Sequence, residues 1–109
     1  MLARIQSSSV LGIDAFPVSI EVDTRPGLFR FKVVGLPDAA VKESEDRVIS
    51  ALRNTGFRVP GGNTVVNLAP ADMRKQGSAL DLPIALGILG ASNQLNGGRI
   101  EEYLVAGEL

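Results

Sequence analysis

Hydrophobic and polar positions alternate most regularly where Phe16, Val18, Ile20 and Val22 are interleaved with Pro17, Ser19, Glu21 and Asp23. This two-residue period predicts a strand with one face in a core and the other in water. Thr24-Arg25-Pro26-Gly27 follows, with Pro at the second turn position and Gly at the fourth. Beyond it Phe29, Phe31 and Val33 alternate with Arg30 and Lys32, so the pattern predicts a hairpin. Ala3 to Leu11 predicts another strand, weakened in propensity by Ser7-Ser8-Ser9.

The period then changes. Gly35-Leu36-Pro37-Asp38 ends the sheet pattern and offers Asp38 as N-cap of a helix reaching Arg53. Val41, Val48 and Leu52 form its apolar stripe, and Glu43 and Arg47 stand four apart, a pairing that contributes about 0.2–0.5 kcal/mol. Gly56 suits the C-terminal stop. After Pro60-Gly61-Gly62, Thr64 to Leu68 reads as a short strand and Ile84 to Leu89, apolar all round, as a buried helix. Leu104-Val105-Ala106 reads as a last strand. The expected order is βββαβαβ: an α+β domain, with a mixed sheet and two helices packed on one face.

A length of 109 residues fits a single domain spanning 1–109. The chain is 45% hydrophobic and 21% charged, with mean hydropathy +0.18, a globular balance. A net charge of -1 and a pI near 5.3 provide no bulk attraction for nucleic acid or an anionic membrane, so such a contact needs a local patch. With no Cys and no His, disulfides, thiol nucleophiles, imidazole bases and ordinary zinc sites are excluded. No apolar run approaches a bilayer span and Met1-Leu2-Ala3-Arg4 is no signal peptide, so we expect a soluble, cytoplasmic domain. The chain stops abruptly at Gly107-Glu108-Leu109, as a piece of a longer protein would.

Candidate chemistry concentrates between Asn67 and Pro83, a polar loop between apolar elements. Ser78 follows Gly77 at an expected helix start, and with His absent only Lys75 is a nearby base. Against a nucleophile, Ser78 and Asp81 have the spacing of a capping box. Arg74 and Lys75, with Arg30, Lys32 and Arg25, are candidates for contact with phosphate or a partner. Gly56 and Gly61 have phosphate-loop spacing but lack the following Lys and lie between helix and strand, the reverse of the order that aims amides at phosphate. Glu43, Glu45 and Asp46 do not share one helical face, so no metal site is expected.

Four stretches carry a family resemblance: Gly12-Ile13-Asp14-Ala15, Val34 to Ser44 (Val-Gly-Leu-Pro-Asp-Ala-Ala-Val-Lys-Glu-Ser), Val66 to Asp72 (Val-Asn-Leu-Ala-Pro-Ala-Asp) and Asp81 to Leu86 (Asp-Leu-Pro-Ile-Ala-Leu). In this order they resemble the N-terminal domain of magnesium-chelatase-like AAA+ ATPases of the ComM/YifB type. The resemblance implies a fold like the Lon proteolytic domain, the RadA C-terminal domain and a ribosomal-protein domain. It also implies a parent that continues into an AAA+ module, where ATP and Mg2+ would bind, with no cofactor or metal in this stretch. ComM proteins are hexameric DNA helicases of branch migration and recombination in natural transformation, or competence.

Lon carries its nucleophile in a Lys-Asp-Gly-Pro-Ser-Ala-Gly loop, which the stretch Arg74-Lys75-Gln76-Gly77-Ser78-Ala79-Leu80 resembles only in part. The Pro before Ser is missing, Gln76 replaces an acidic residue, and Lon's partner Lys belongs to a later helix. The expected function is therefore a non-catalytic accessory domain whose partners are its own AAA+ module and neighbouring subunits of a homo-hexamer, with DNA a further candidate. A Lon-like Ser-Lys peptidase and an independent DNA-binding module are the alternatives. Arg74 and Lys75 are the expected contact residues of the loop.

Overall fold

A computed structural model describes residues 1–96 and 98–109. Strands β1 (Leu2–Leu11), β2 (Asp14–Arg25), β3 (Arg30–Val34) and β4 (Asn63–Ala69) form one sheet in the order β1-β2-β4-β3. β1 and β4 run antiparallel to β2, and β3 runs parallel to β4. The helices are α1 (Ala39–Lys42), α2 (Ser44–Asn54) and α3 (Asp81–Ala91), with a 3-10 turn over Ile100–Glu102. This is the mixed α+β class that the hydrophobic pattern predicts.

The register explains the alternation. Ile5 lies opposite Ile20, Ile20 opposite Leu68, and Val22 opposite Val66, so the odd positions of β1 and the even ones of β2 and β4 share one face. Val18, Ile20, Val22 and Val66 are fully buried there, beneath Ile84, Ile88 and Leu89 of α3 and Val48 and Leu52 of α2. α3 approaches the sheet at Gly87, where a Cβ would lie 2.5 Å from Val22 Cγ2. The opposite face carries Arg4, Glu21, Asp23, Arg25, Arg30 and Lys32, and among the described residues α2 and α3 pack on the other side.

The expected hairpin from Phe16 to Val33 does not form. β4 inserts between β2 and β3, pairing Asp23 with Val65 on one side and Lys32 with Val65 on the other. The run Thr64-Val65-Val66 suits that central position, because its β-branched side chains favour strand backbone. The tight hairpin is instead β1–β2, turning at Gly12 and Ile13 with Leu11 opposite Asp14.

Two other expectations are corrected. The helix from Asp38 is interrupted at Glu43. Arg47 Nη2 donates to Ala40 O at 2.6 Å, filling a carbonyl that an unbroken helix would pair with the amide four residues on. The last strand is reduced to one parallel bridge, Leu104 to Gln6, with Val105 N–H donating to Gln6 O at 2.8 Å. The chain then leaves the sheet edge because its next backbone groups go to the start of α3 and the turn before it: Gly107 N–H donates to Ala79 O and Gly107 O accepts from Leu82 N–H. Among the described residues no helix is long and apolar enough to cross a membrane.

Candidate functional site

β3 and β4 run parallel, so the loops that leave their C-terminal ends, 35–38 and 70–80, emerge side by side. Gly35 allows the first to press against β4: it sits at φ 112, and a Cβ there would meet Leu68 O at 2.1 Å. Backbone bonds then join the two loops. Lys75 N–H donates to Leu36 O at 3.0 Å and Asp38 N–H to Lys75 O at 2.9 Å, making a parallel bridge between Pro37 and Lys75. Asp38 ties in both directions. Its Oδ1 accepts from Val41 N–H at 2.9 Å, capping α1, and its Oδ2 accepts from Gly77 N–H at 3.3 Å.

Lys75 itself is fully buried. Its Nζ donates to Gly35 O at 2.7 Å and also to Pro70 O, so one ammonium holds the backbone of both loops. No ion pair to Lys75 occurs among the described residues. Burial lowers its pKa below the ordinary lysine value, against a smaller opposing effect of Asp72. The expectation that Lys75 contacts DNA or a partner is therefore corrected: its charge faces carbonyls inside the protein. Arg74, its neighbour, is exposed. Gln76 Nε2 donates to Val10 O at 3.3 Å, fastening the loop to the β1–β2 tip.

Ser78 and Asp81 do not form the expected capping box. Leu80 precedes α3 without a side-chain cap. The Ser78 hydroxyl donates to Glu108 Oε2 at 2.7 Å, while Asp81, 1% exposed, accepts from Arg47 Nε at 2.6 Å, from Arg47 Nη2 at 3.1 Å and from Leu109 N–H at 3.3 Å. A bidentate guanidinium is a stronger partner for a buried carboxylate than a lone amide. The hydrogen bond to Asp81 raises the Arg47 pKa above its ordinary value, against the effect of burial. The first amides of α3 are satisfied by main chain: Asp81 N–H by Ser78 O and Leu82 N–H by Gly107 O.

The arrangement cannot activate Ser78 through Lys75, whose Nζ is directed at Gly35 and Pro70. The Gly56–Gly61 spacing does not fit a nucleotide phosphate either. Gly56 N–H donates to Arg53 O and Phe57 N–H to Leu52 O, the bond pair that closes a helix in a Schellman motif. Arg30 and Lys32 lie on the open sheet face at β3, away from the loop and joined to it by no described contact. Arg47 as the partner of Asp81 was not foreseen, since 34 residues separate them and Glu43 offered a local partner, at 3.9 Å here. The one available signal was a carboxylate at the head of an otherwise apolar helix.

The model of subunit ChlI of Mg-chelatase matches residues 20–109. The chain is 44% identical over 108 residues to the uncharacterized protein YifB of Escherichia coli K12, and 46% identical over 108 residues to the competence protein ComM of Haemophilus influenzae Rd. An uncharacterized protein of Mycobacterium tuberculosis H37Rv is 41% identical over the same length. Each alignment covers 99% of this chain but only 21–22% of the relative, so the chain spans about a fifth of the length of these proteins. On the family match and these identities, the chain belongs to the family of Mg-chelatase subunit ChlI.

Proposed function

We propose that this chain is a non-catalytic N-terminal accessory domain of a Mg-chelatase-like AAA+ ATPase. The observation that carries this reading is the state of the two residues a Ser-Lys peptidase would need. Ser78 is hydrogen-bonded to Glu108, and Lys75 is buried on two carbonyls. A Ser-Lys nucleophile requires the amine within hydrogen-bond reach of the hydroxyl, and here the amine serves as an internal fastener while the hydroxyl faces Glu108.

In this reading the parent is a cytoplasmic hexamer that binds ATP and Mg2+ in its AAA+ module and acts on DNA in recombination; one relative is named a competence protein. The domain contributes a rigid platform to neighbouring subunits. Arg74 is the exposed cation of the loop and its best contact residue. An independent DNA-binding role is less supported, because Arg74 lies beyond the C-terminal end of β3 whereas Arg30 begins that strand, and Lys75 is withdrawn from solvent.

The test uses the full-length protein with Ser78→Ala. DNA-stimulated ATP hydrolysis is expected to stay within about twofold of wild type, since an exposed hydrogen bond contributes roughly 0.5–1.5 kcal/mol to stability and none to chemistry here. Neither protein should cleave unfolded casein. Casein cleavage by the wild type that disappears in Ser78→Ala, with ATP hydrolysis retained, overturns the reading in favour of a peptidase.

A further inference from the structure

β3 is the outer strand on the side of the sheet away from β1. Consecutive residues of a strand turn their N–H and C=O to opposite sides. The Arg30 N–H points to Gly62 O, at 3.3 Å, so Arg30, Lys32 and Val34 serve the ladder to β4. Phe31 and Val33 then direct their N–H and C=O outward, and no described residue takes up any of these four groups. A groove at this edge is lined by Phe29, Arg30, Phe31 and Lys32, by Asn63 and Val65 of β4 and by Glu45 of α2.

Charge is distributed unevenly around that groove. On the same open face, Arg4 pairs with Glu21 at 2.7 Å and Arg25 with Asp23 at 3.0 Å. Arg30, Lys32 and Glu45 form no ion pair among the described residues. Two cations thus lie on the open-face side of the free edge, and one carboxylate on its helix side.

The geometry points to strand addition: the free edge of β3 binds an extended acidic peptide, its alternate carboxylates facing Arg30 and Lys32 and its intervening apolar or basic side chains facing Phe31 and Glu45. Main-chain bonds to Phe31 and Val33 supply affinity, and the alternating side chains supply selectivity. A second copy of β3 is rejected by the same charges, since like charges directly opposite one another destabilise a strand pair. Nucleic acid is the poorer fit, because a phosphate backbone accepts from the outward N–H groups but has no donor for the outward C=O groups, and Glu45 repels it. The inference goes beyond the accessory role and does not depend on it.

The experiment measures amide hydrogen exchange by NMR on the 109-residue chain, with the end-capped probe peptide Glu-Val-Glu-Lys-Glu-Val. Exchange at Phe31 and Val33 is expected to slow about tenfold or more at saturating peptide, with Kd in the micromolar to millimolar range of short peptides. The charge-swapped peptide Lys-Val-Lys-Glu-Lys-Val, a probe N-methylated on its β3-facing amides, and the surface variant Lys32→Glu should each weaken binding at least ~tenfold. Three results overturn the proposal: no slowing at millimolar probe, binding indifferent to N-methylation, or a single-stranded oligonucleotide that displaces the probe and shifts Arg30 and Lys32 while leaving the Phe31 and Val33 amides unprotected.

Discussion

Replacing Lys75 with Met is expected to lower the free energy of unfolding by about 2–4 kcal/mol, read as a shift of the urea midpoint at unchanged slope. Met retains the aliphatic volume but donates nothing. Gly35 O and Pro70 O would then be left without the ammonium, and each unsatisfied buried carbonyl costs about 1–3 kcal/mol. Part of that loss is returned, because a buried charge without a carboxylate partner is itself unfavourable.

The pH dependence follows from the direction of the Lys75 shift. Burial lowers its pKa in the folded protein, so between that lowered value and the unfolded lysine value of about 10.4 the unfolded chain holds more protons than the folded one. Stability contributed by Lys75 therefore rises with pH across this window. The gap between wild type and Lys75→Met should widen as urea titrations move from neutral pH toward that limit. A constant gap would show that the amine is solvated in the folded state.

Arg47→Met is expected to cost about 3 kcal/mol or more. Asp81 is 1% exposed, and without Arg47 it would keep only the Leu109 N–H at 3.3 Å. Removing one member of a buried ion pair leaves an uncompensated charge, with losses of about 3–5 kcal/mol, and the lower end applies because the Arg47 side chain is 26% exposed. Ala40 O would lose its donor in the same substitution. The double variant Arg47→Met with Asp81→Leu should recover much of the loss, since it removes the stranded carboxylate as well. Equal instability of single and double variants in a thermal melt would place the energy in Ala40 capping and not in the pair.

Strand faces were legible in the sequence because their period is local. Val18, Ile20 and Val22 enter the core as their alternation predicts, and Phe16 packs half-buried against it. Pairing was not legible. Thr24-Arg25-Pro26-Gly27 has turn chemistry, but the partner of β2 comes from residues 63–69, and nothing near the turn records that insertion. Helix ends followed the same division: Asp38 caps its own helix through an amide three residues on, whereas the Ser78 and Asp81 spacing misled because their partners lie 30 and 34 residues away.

The candidate site was legible as a place and misread in its chemistry. Loop 70–80 does stand between two apolar elements and does carry the cations. A lysine beside an arginine in a polar loop reads as solvated, and the sequence has no mark for the carbonyls that receive it. Gly35 O comes from 40 residues away, and it reaches Lys75 only once β3 and β4 are parallel neighbours.

Amine labelling of the native chain tests most directly whether Lys75 is an internal fastener. The chain has three lysines, Lys32, Lys42 and Lys75, of which the first two are exposed and the third is buried. Under acetylation at neutral pH, followed by peptide mass spectrometry, Lys75 is expected to remain unmodified after Lys32 and Lys42 have reacted to completion, and to react once urea unfolds the chain. Acetylation of Lys75 in the native protein at the rate of Lys32 would contradict that role.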